Sequence, residues 1–246
     1  MLESLSLGAP LLVFALFVMA FLYSSVGHGG ASGYLAVMAI FAVAPSLMKQ
    51  SALMLNLGVS LISFSQFFRK GFFNWRNFWP FALASVPMSY LGAQWIISDT
   101  SYKKILAVCL FFAVLRMLFQ YTTKDNQRQV PIWAGLLIGA IIGLISGMIG
   151  IGGGILLSPI ILLFAWGGMK ETAAISALFI FVNSSAGLLG VKNWIALDQY
   201  LLFMIIASLL GGVLGSTWGA NYASSKWIKY ILGLVLIIAC LKLFLV

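Results

Sequence analysis

A chain of 246 residues that is 62% hydrophobic and only 8% charged is not a soluble globular domain, in which about a quarter of the residues carry charge; it reads as an all-α, multi-pass integral protein of the cell membrane, with the lipid bilayer as its solvent. The net charge of +9 is scattered over short loops, which fits topology signals facing anionic headgroups and excludes a nucleic-acid partner. Cys109 and Cys240 lie far apart inside apolar runs, so they read as packing residues and say nothing of a redox compartment.

The opening MLESLSLGAP has no basic n-region and does not read as a cleaved signal peptide. Ten apolar segments follow. Five fall in the first half, at Pro10–Val26, Ala31–Ala44, Leu47–Phe68, Phe78–Ile97 and Ile105–Tyr121. The polar stretch Thr122–Val130 separates them from Ile132–Ile149, Ile155–Trp166, Thr172–Val191, Tyr200–Gly219 and Trp227–Val246. The expected organisation is a transmembrane repeat over residues 1–121, a linker over 122–130 and a second transmembrane repeat over 131–246.

Ordered matches carry the duplication. Gly27, Gly29 and Gly30 precede Gly150, Gly152 and Gly153 by 123 residues, as Gly92 and Trp95 precede Gly215 and Trp218. Met48-Lys49 and Ser51-Ala52 precede Met169-Lys170 and Thr172-Ala173 by 121, and Lys103, Ile105 and Leu106 precede Lys229, Ile231 and Leu232 by 126. The second segment of each half, at 14 and 12 residues, is too short for a full span of about 20. These are half-helices or parts of re-entrant hairpins. Whether the first two segments cross separately or form a hairpin, they return the chain to its starting side. Three more segments then invert the half, so the repeats are expected to be inverted, as in many secondary transporters. Loop charges agree: one face receives Arg69, Lys70, Arg76, Lys124, Arg128, Lys170, Lys226 and Lys229, and the other Lys49, Lys103, Lys104, Lys192 and Lys242. The richer face is expected to be cytoplasmic, with both termini outside.

Trp75, Trp79, Trp133, Trp194 and Trp227 sit near segment ends, where interfacial belts place tryptophan. Gly135, Gly139, Gly143 and Gly147 recur every fourth residue, as do Gly211, Gly215 and Gly219. Each set lines one helix face and is expected to let a neighbouring helix approach closely.

A different use of glycine is expected in Ser146–Pro159, SGMIGIGGGILLSP, where Gly150, Gly152, Gly153 and Gly154 fall within five residues. Glycine costs a helix interior about 1 kcal/mol against alanine, so the cluster should break the helix. A break at membrane depth is tolerated only when buried in protein or lining a cavity. A helix restarting at Ile155, with Pro159 in its first turn, would aim free N–H groups and a positive dipole end into the gap, which suits an anion. The alternative is that the glycines serve only tight packing.

The third segment of each half is polar at mid-depth. Asn56, Ser60 and Ser63 share one helix face, and Ser176, Asn183 and Ser184 another. These groups either bond one another between helices or line a cavity with the breaks, joined by Ser32 and Ser158. His28, the single histidine, stands within Gly27-His28-Gly29-Gly30 and could bond an anion, carry a proton or make a loop bond. No metal, cofactor or catalytic constellation is expected: Glu3, Asp99, Asp125, Glu171 and Asp198 all fall at segment ends or in loops, and no nucleophile–base pair or phosphate-binding loop is present.

Gly150-Ile151-Gly152-Gly153-Gly154, Ser158-Pro159 and the helix from Met169-Lys170-Glu171-Thr172-Ala173-Ala174 resemble the sulfite exporter TauE/SafE family, and the likeness runs over nearly the whole chain. The resemblance implies a non-enzymatic secondary transporter, built from duplicated halves, that moves small sulfur-containing anions such as sulfite, sulfonates or related organic acids. By motif it carries over Gly27, His28, Gly29, Gly30, Gly150, Gly152, Gly153 and Gly154 as the breaks. The first half departs from the pattern, with His28 at the place of Ile151 and Ala31 at that of Gly154. The expected substrate site comprises these positions with Ser32, Asn56, Ser158, Asn183 and Ser184. An anion channel and a non-transporting membrane scaffold remain the alternatives, and homo-oligomerisation is open.

The parity of segments and charges makes a topological prediction. In single-cysteine labelling of intact cells, Thr123 should react from the side opposite to Ser4; reaction of both from one side would remove the odd-parity arrangement.

Overall fold

The computed structural model describes residues 8–25, 30–118, 128–194, 199–222, 234 and 236–243. Among them nine helices follow in order: α1 (Gly8–Ser25), α2 (Ala31–Ile40), α3 (Pro45–Arg69), α4 (Trp75–Gln94), α5 (Asp99–Leu118), α6 (Ile132–Ile149), α7 (Gly154–Leu163), α8 (Met169–Gly190) and α9 (Gln199–Tyr222). Residues 236–243 are helical as well. Each of the first nine expected segments is therefore a helix, and the protein is all-α. Several helices, α3, α4, α5 and α8 among them, start a few residues ahead of the apolar runs. Pro45 opens α3 with a φ suited to a first turn, and Asn74 caps α4 by accepting the Arg76 N–H at 3.0 Å. Most of the linker at 122–130 lies outside the described residues.

Five helices, α1, α3, α6, α8 and α9, are long and apolar enough to cross a membrane. Helices α2 and α7 have ten residues each, about 15 Å of rise and half a hydrocarbon core.

These two short helices share a backbone pattern at both ends. Each begins behind a left-handed glycine, Gly30 at φ 64° and Gly153 at φ 76°. Each ends in the same Schellman turn. In α2 the N–H groups of Ala42 and Val43 donate to the Ala39 and Met38 carbonyls; in α7 those of Ala165 and Trp166 donate to the Leu162 and Ile161 carbonyls. The left-handed residue is alanine in both, Ala42 at φ 55° and Ala165 at φ 54°. One expectation is corrected here. Because α7 starts at Gly154, Pro159 is its sixth residue and lies inside the helix, where it removes a rung of the ladder and does not start it.

Packing is crosswise. Helices α3 and α8 lie against each other at the centre, α4 packs on α6 and α8, and α9 packs on α1 and α3. First helices thus pair with the fourth helices of the opposite half. The glycine stripes make these contacts. A β-carbon at Gly139, Gly143 or Gly147 of α6 would overlap the carbonyl oxygen of Phe81, Ser85 or Ser89 in α4. In the other pair, Gly211 and Gly215 of α9 meet the Phe17 and Phe21 carbonyls of α1. Gly92 meets Leu144 as Gly215 meets Phe21, with both partners separated by the 123-residue offset of the repeat.

Polar clips hold the helix ends. Asn77 Nδ2 donates to the Trp166 carbonyl at 2.8 Å and to Glu171 Oε1 at 2.9 Å, tying α4 to the turn before α8. Gln50, placed like Glu171 in the other half, donates from Nε2 to the Asn193 carbonyl at 2.7 Å. The Lys242 ammonium donates to the Ile40 carbonyl at the negative end of α2. Trp75, Trp79, Trp133 and Trp194 are exposed near helix ends, as interfacial anchors are.

Gly143→Val tests the stripe. Its added carbons meet backbone that cannot step aside, so the apparent melting temperature in detergent should fall by the equivalent of about 1–3 kcal/mol or more, read by tryptophan fluorescence. An unchanged transition would mean that α4 and α6 do not touch there.

Candidate functional site

The break between α6 and α7 is built from glycines that take a backbone shape other residues avoid. Gly150, Gly152 and Gly153 have φ of 81°, 73° and 76°, a region costing other L-residues about 1–2 kcal/mol each. Gly150 closes α6 by donating its N–H to the Ser146 carbonyl at 2.8 Å. Gly153 opens α7, where its carbonyl accepts the N–H groups of Leu156 and Leu157, both at 3.0 Å. The first-turn N–H groups ahead of Leu156 precede the intrahelical ladder. They project at the break together with the positive end of the α7 dipole.

Neighbouring helices seal the break. Tyr102 of α5 donates its hydroxyl to the Ile149 carbonyl at 2.9 Å, satisfying an end group of α6. Lys49 of α3 packs its backbone on Gly150, whose β-carbon would stand 2.6 Å from the Lys49 carbonyl oxygen. The Lys49 ammonium turns away to the Ala93 carbonyl at 2.8 Å, so this cation serves the C-terminal end of α4.

Asn56 and Ser184 converge on the break from α3 and α8. A β-carbon at Gly152 would stand 3.2 Å from Asn56 Nδ2 and 3.3 Å from Ser184 Oγ. Both side chains are 0% exposed, and both amide atoms of Asn56 and the Ser184 hydroxyl lack a hydrogen-bond partner. Each such orphan costs about 1–3 kcal/mol. Three free polar atoms facing an N–H cradle form a neutral site that can donate several hydrogen bonds.

The other candidates divide by how their hydrogen bonds are used. Ser158 donates to the Gly154 carbonyl at 2.8 Å and pairs with Ser176 at 2.6 Å, so both serve the packing of α7 on α8. Ser32 donates to the Tyr23 hydroxyl at 2.8 Å, and Ser60 bonds back to the Asn56 carbonyl. Asn183 spends its Nδ2 on the Phe179 carbonyl at 2.8 Å, leaving Oδ1 free; its open atom is an acceptor and not a donor for an anion. Ser63, the counterpart of Ser184 in the other half, is also buried and unpartnered. Gly154 begins α7 and packs against Ile180 and the Ser176 carbonyl.

At the first break, Gly30 caps α2 with its left-handed backbone, while Gly27, His28 and Gly29 lie outside the described residues. Tyr34 was not singled out from the sequence. It is 0% exposed with an unpartnered hydroxyl, and a β-carbon on Gly30 would collide with its ring and hydroxyl. The available signal was its place one turn beyond Gly30, since first-turn side chains lean back over the helix start. Lys49 and Tyr102 were also missed as residues of the break. Among the described residues no cluster of histidine, cysteine or carboxylate could hold a metal ion.

The chain matches the family described as Sulfite exporter TauE/SafE over residues 12–243. It is 38% identical to the probable membrane transporter protein y4hK of Sinorhizobium fredii, covering 94% of this chain and 96% of that one. It is 27% identical to a probable membrane transporter protein of Methanocaldococcus jannaschii, over 73% and 71% of the two chains. No solved structure matches.

The orphaned amide makes a stability prediction. Asn56→Leu keeps the volume and removes two unsatisfied atoms, so in ligand-free detergent solution it should raise apparent stability by about 1–3 kcal/mol. A fall in the melting temperature would show that Asn56 is satisfied and structural.

Proposed function

The chain belongs to the sulfite exporter TauE/SafE family, whose members are membrane transporters and not enzymes, and from that premise we propose that it is a secondary transporter of small anions, sulfur-containing ones such as sulfite, sulfonates or related organic acids. The observation that carries the site is the pair of buried, unpartnered side chains, Asn56 and Ser184, set over Gly152 at the start of α7. The anion lies between the halves, where α3 and α8 meet. Backbone N–H groups and the α7 dipole supply the attraction, with the amide and hydroxyl as neutral donors. Such a site binds without the deep well of a buried lysine or arginine, which favours release.

Inversion of the two repeats supplies the motion. Helices α3, α4, α6, α8 and α9 couple the halves, and rocking of one half against the other opens the site to each side in turn. The crosswise pairing of α4 with α6 and α1 with α9 supports this reading, since it gives the halves equivalent contacts to exchange.

Counterflow in proteoliposomes tests the proposal. Wild-type protein loaded with unlabelled sulfite should accumulate external labelled sulfite transiently, which a channel does not do. Gly152→Ala, which strains φ and crowds Ile180 at 2.8 Å, should weaken anion binding by about tenfold or more. Ser158→Ala should bind nearly as wild type. Unchanged affinity in folded, monodisperse Gly152→Ala would remove the site from this break.

A further inference from the structure

Resting on that placement of the anion, the geometry points to a more specific ligand: we propose that the site at Gly152 selects a singly charged oxyanion that keeps one O–H, and discriminates against both dianions and fully deprotonated monoanions of the same shape.

The Asn56 side-chain amide has one nitrogen that donates and one oxygen that accepts. Both are unpartnered and the residue is fully buried. An anion with no hydrogen can accept from the nitrogen and leaves the oxygen unsatisfied beside a negative charge. Turning the amide over does not help, because one acceptor always remains. An anion bearing one O–H satisfies both atoms at once, donating to the amide oxygen and accepting from the nitrogen. Ser184, also fully buried and unpartnered, can then donate its hydroxyl to a second anion oxygen, and the first-turn N–H groups of α7 reach a third. Two nearby side chains are already committed: Ser60 donates to the Asn56 backbone carbonyl, and the Asn183 amide nitrogen is held by the Phe179 carbonyl; with the Ser184 hydroxyl turned to the anion, the ligand's own O–H is the donor left for the Asn56 oxygen.

Charge points the same way. The attraction at the break comes from dipoles and neutral donors, and a helix N-terminus is worth about half an elementary charge. One negative charge is within reach of such a field, above all if α2 adds its own N-terminus. A second charge would enter the interior uncompensated. Lys49, the cation whose backbone touches the break, is committed to the Ala93 carbonyl.

A ligand pair isolates the one hydrogen. At mildly acidic pH, methylphosphonate is a monoanion with one O–H, and methanesulfonate is a monoanion of the same shape with none. In calorimetry on purified wild-type protein, methylphosphonate should bind at least about tenfold more tightly. Raising the pH until methylphosphonate loses its second proton should weaken it by a similar factor while methanesulfonate stays constant. Asn56→Leu should bring the two ligands to the same affinity at mildly acidic pH. Equal wild-type affinities, or tighter binding of methanesulfonate, would overturn the selectivity while leaving the anion site in place. Failure of both ligands and of sulfite to bind would remove the anion site itself, and this inference with it.

Discussion

Everything in this protein depends on how an interrupted backbone is accommodated inside an apolar bundle. A broken helix exposes N–H and C=O groups that lipid cannot satisfy, and each would cost several kcal/mol. The break at Gly150–Gly153 meets that demand locally. Gly150 returns its N–H to α6, Gly153 receives two N–H groups of α7, and Tyr102 arrives from α5 to occupy the Ile149 carbonyl. The Ser146 and Ile149 carbonyls are thereby satisfied by protein. The donors at the start of α7 precede its ladder, and Asn56 and Ser184 stand over them with no bond of their own. The accommodation leaves a cradle polarised towards donation.

Glycine serves two distinct purposes here, and the surroundings separate them. Along α6 and α9 the missing side chain makes room for a neighbour's carbonyl, so two backbones approach across α4·α6 and α1·α9. In the breaks the missing side chain permits a left-handed backbone and lets polar groups close in on it: Asn56 and Ser184 at Gly152, Tyr34 at Gly30. The first use holds two halves together over a wide area. The second brings unpartnered polar side chains against the backbone of both breaks. Buried polar groups without partners lower stability where they sit.

The two breaks are alike in backbone and unlike in chemistry. Helices α2 and α7 share length, left-handed start and Schellman end, down to alanine in the left-handed position. The polar groups that meet them differ: a phenol folds back over Gly30, whereas an amide and a hydroxyl meet Gly152. The two frames match in backbone, and side chains from α2, α3 and α8 give them different polar surroundings.

Much of this was legible in the sequence, because it depends on local physics. Apolar runs long enough to span, half-length segments after each glycine cluster, and a left-handed backbone that only glycine adopts cheaply are all properties of short stretches. The four-residue glycine period marks close helix contact for the same reason, since a helix repeats its face nearly every fourth residue. The use of each polar group was not legible. Helical spacing put Asn183 and Ser184 near one face, Ser158 beside the break and Asn56 across from it, but a face is not a partner. Ser158 found Ser176 on another helix, Asn183 turned its nitrogen to Phe179, and Lys49 reached the end of α4. Asn56, Ser184 and Tyr34 found nothing. A hydrogen bond forms or fails over a few tenths of an ångström between atoms far apart in the chain, and only the packing of α3, α7 and α8 sets those distances.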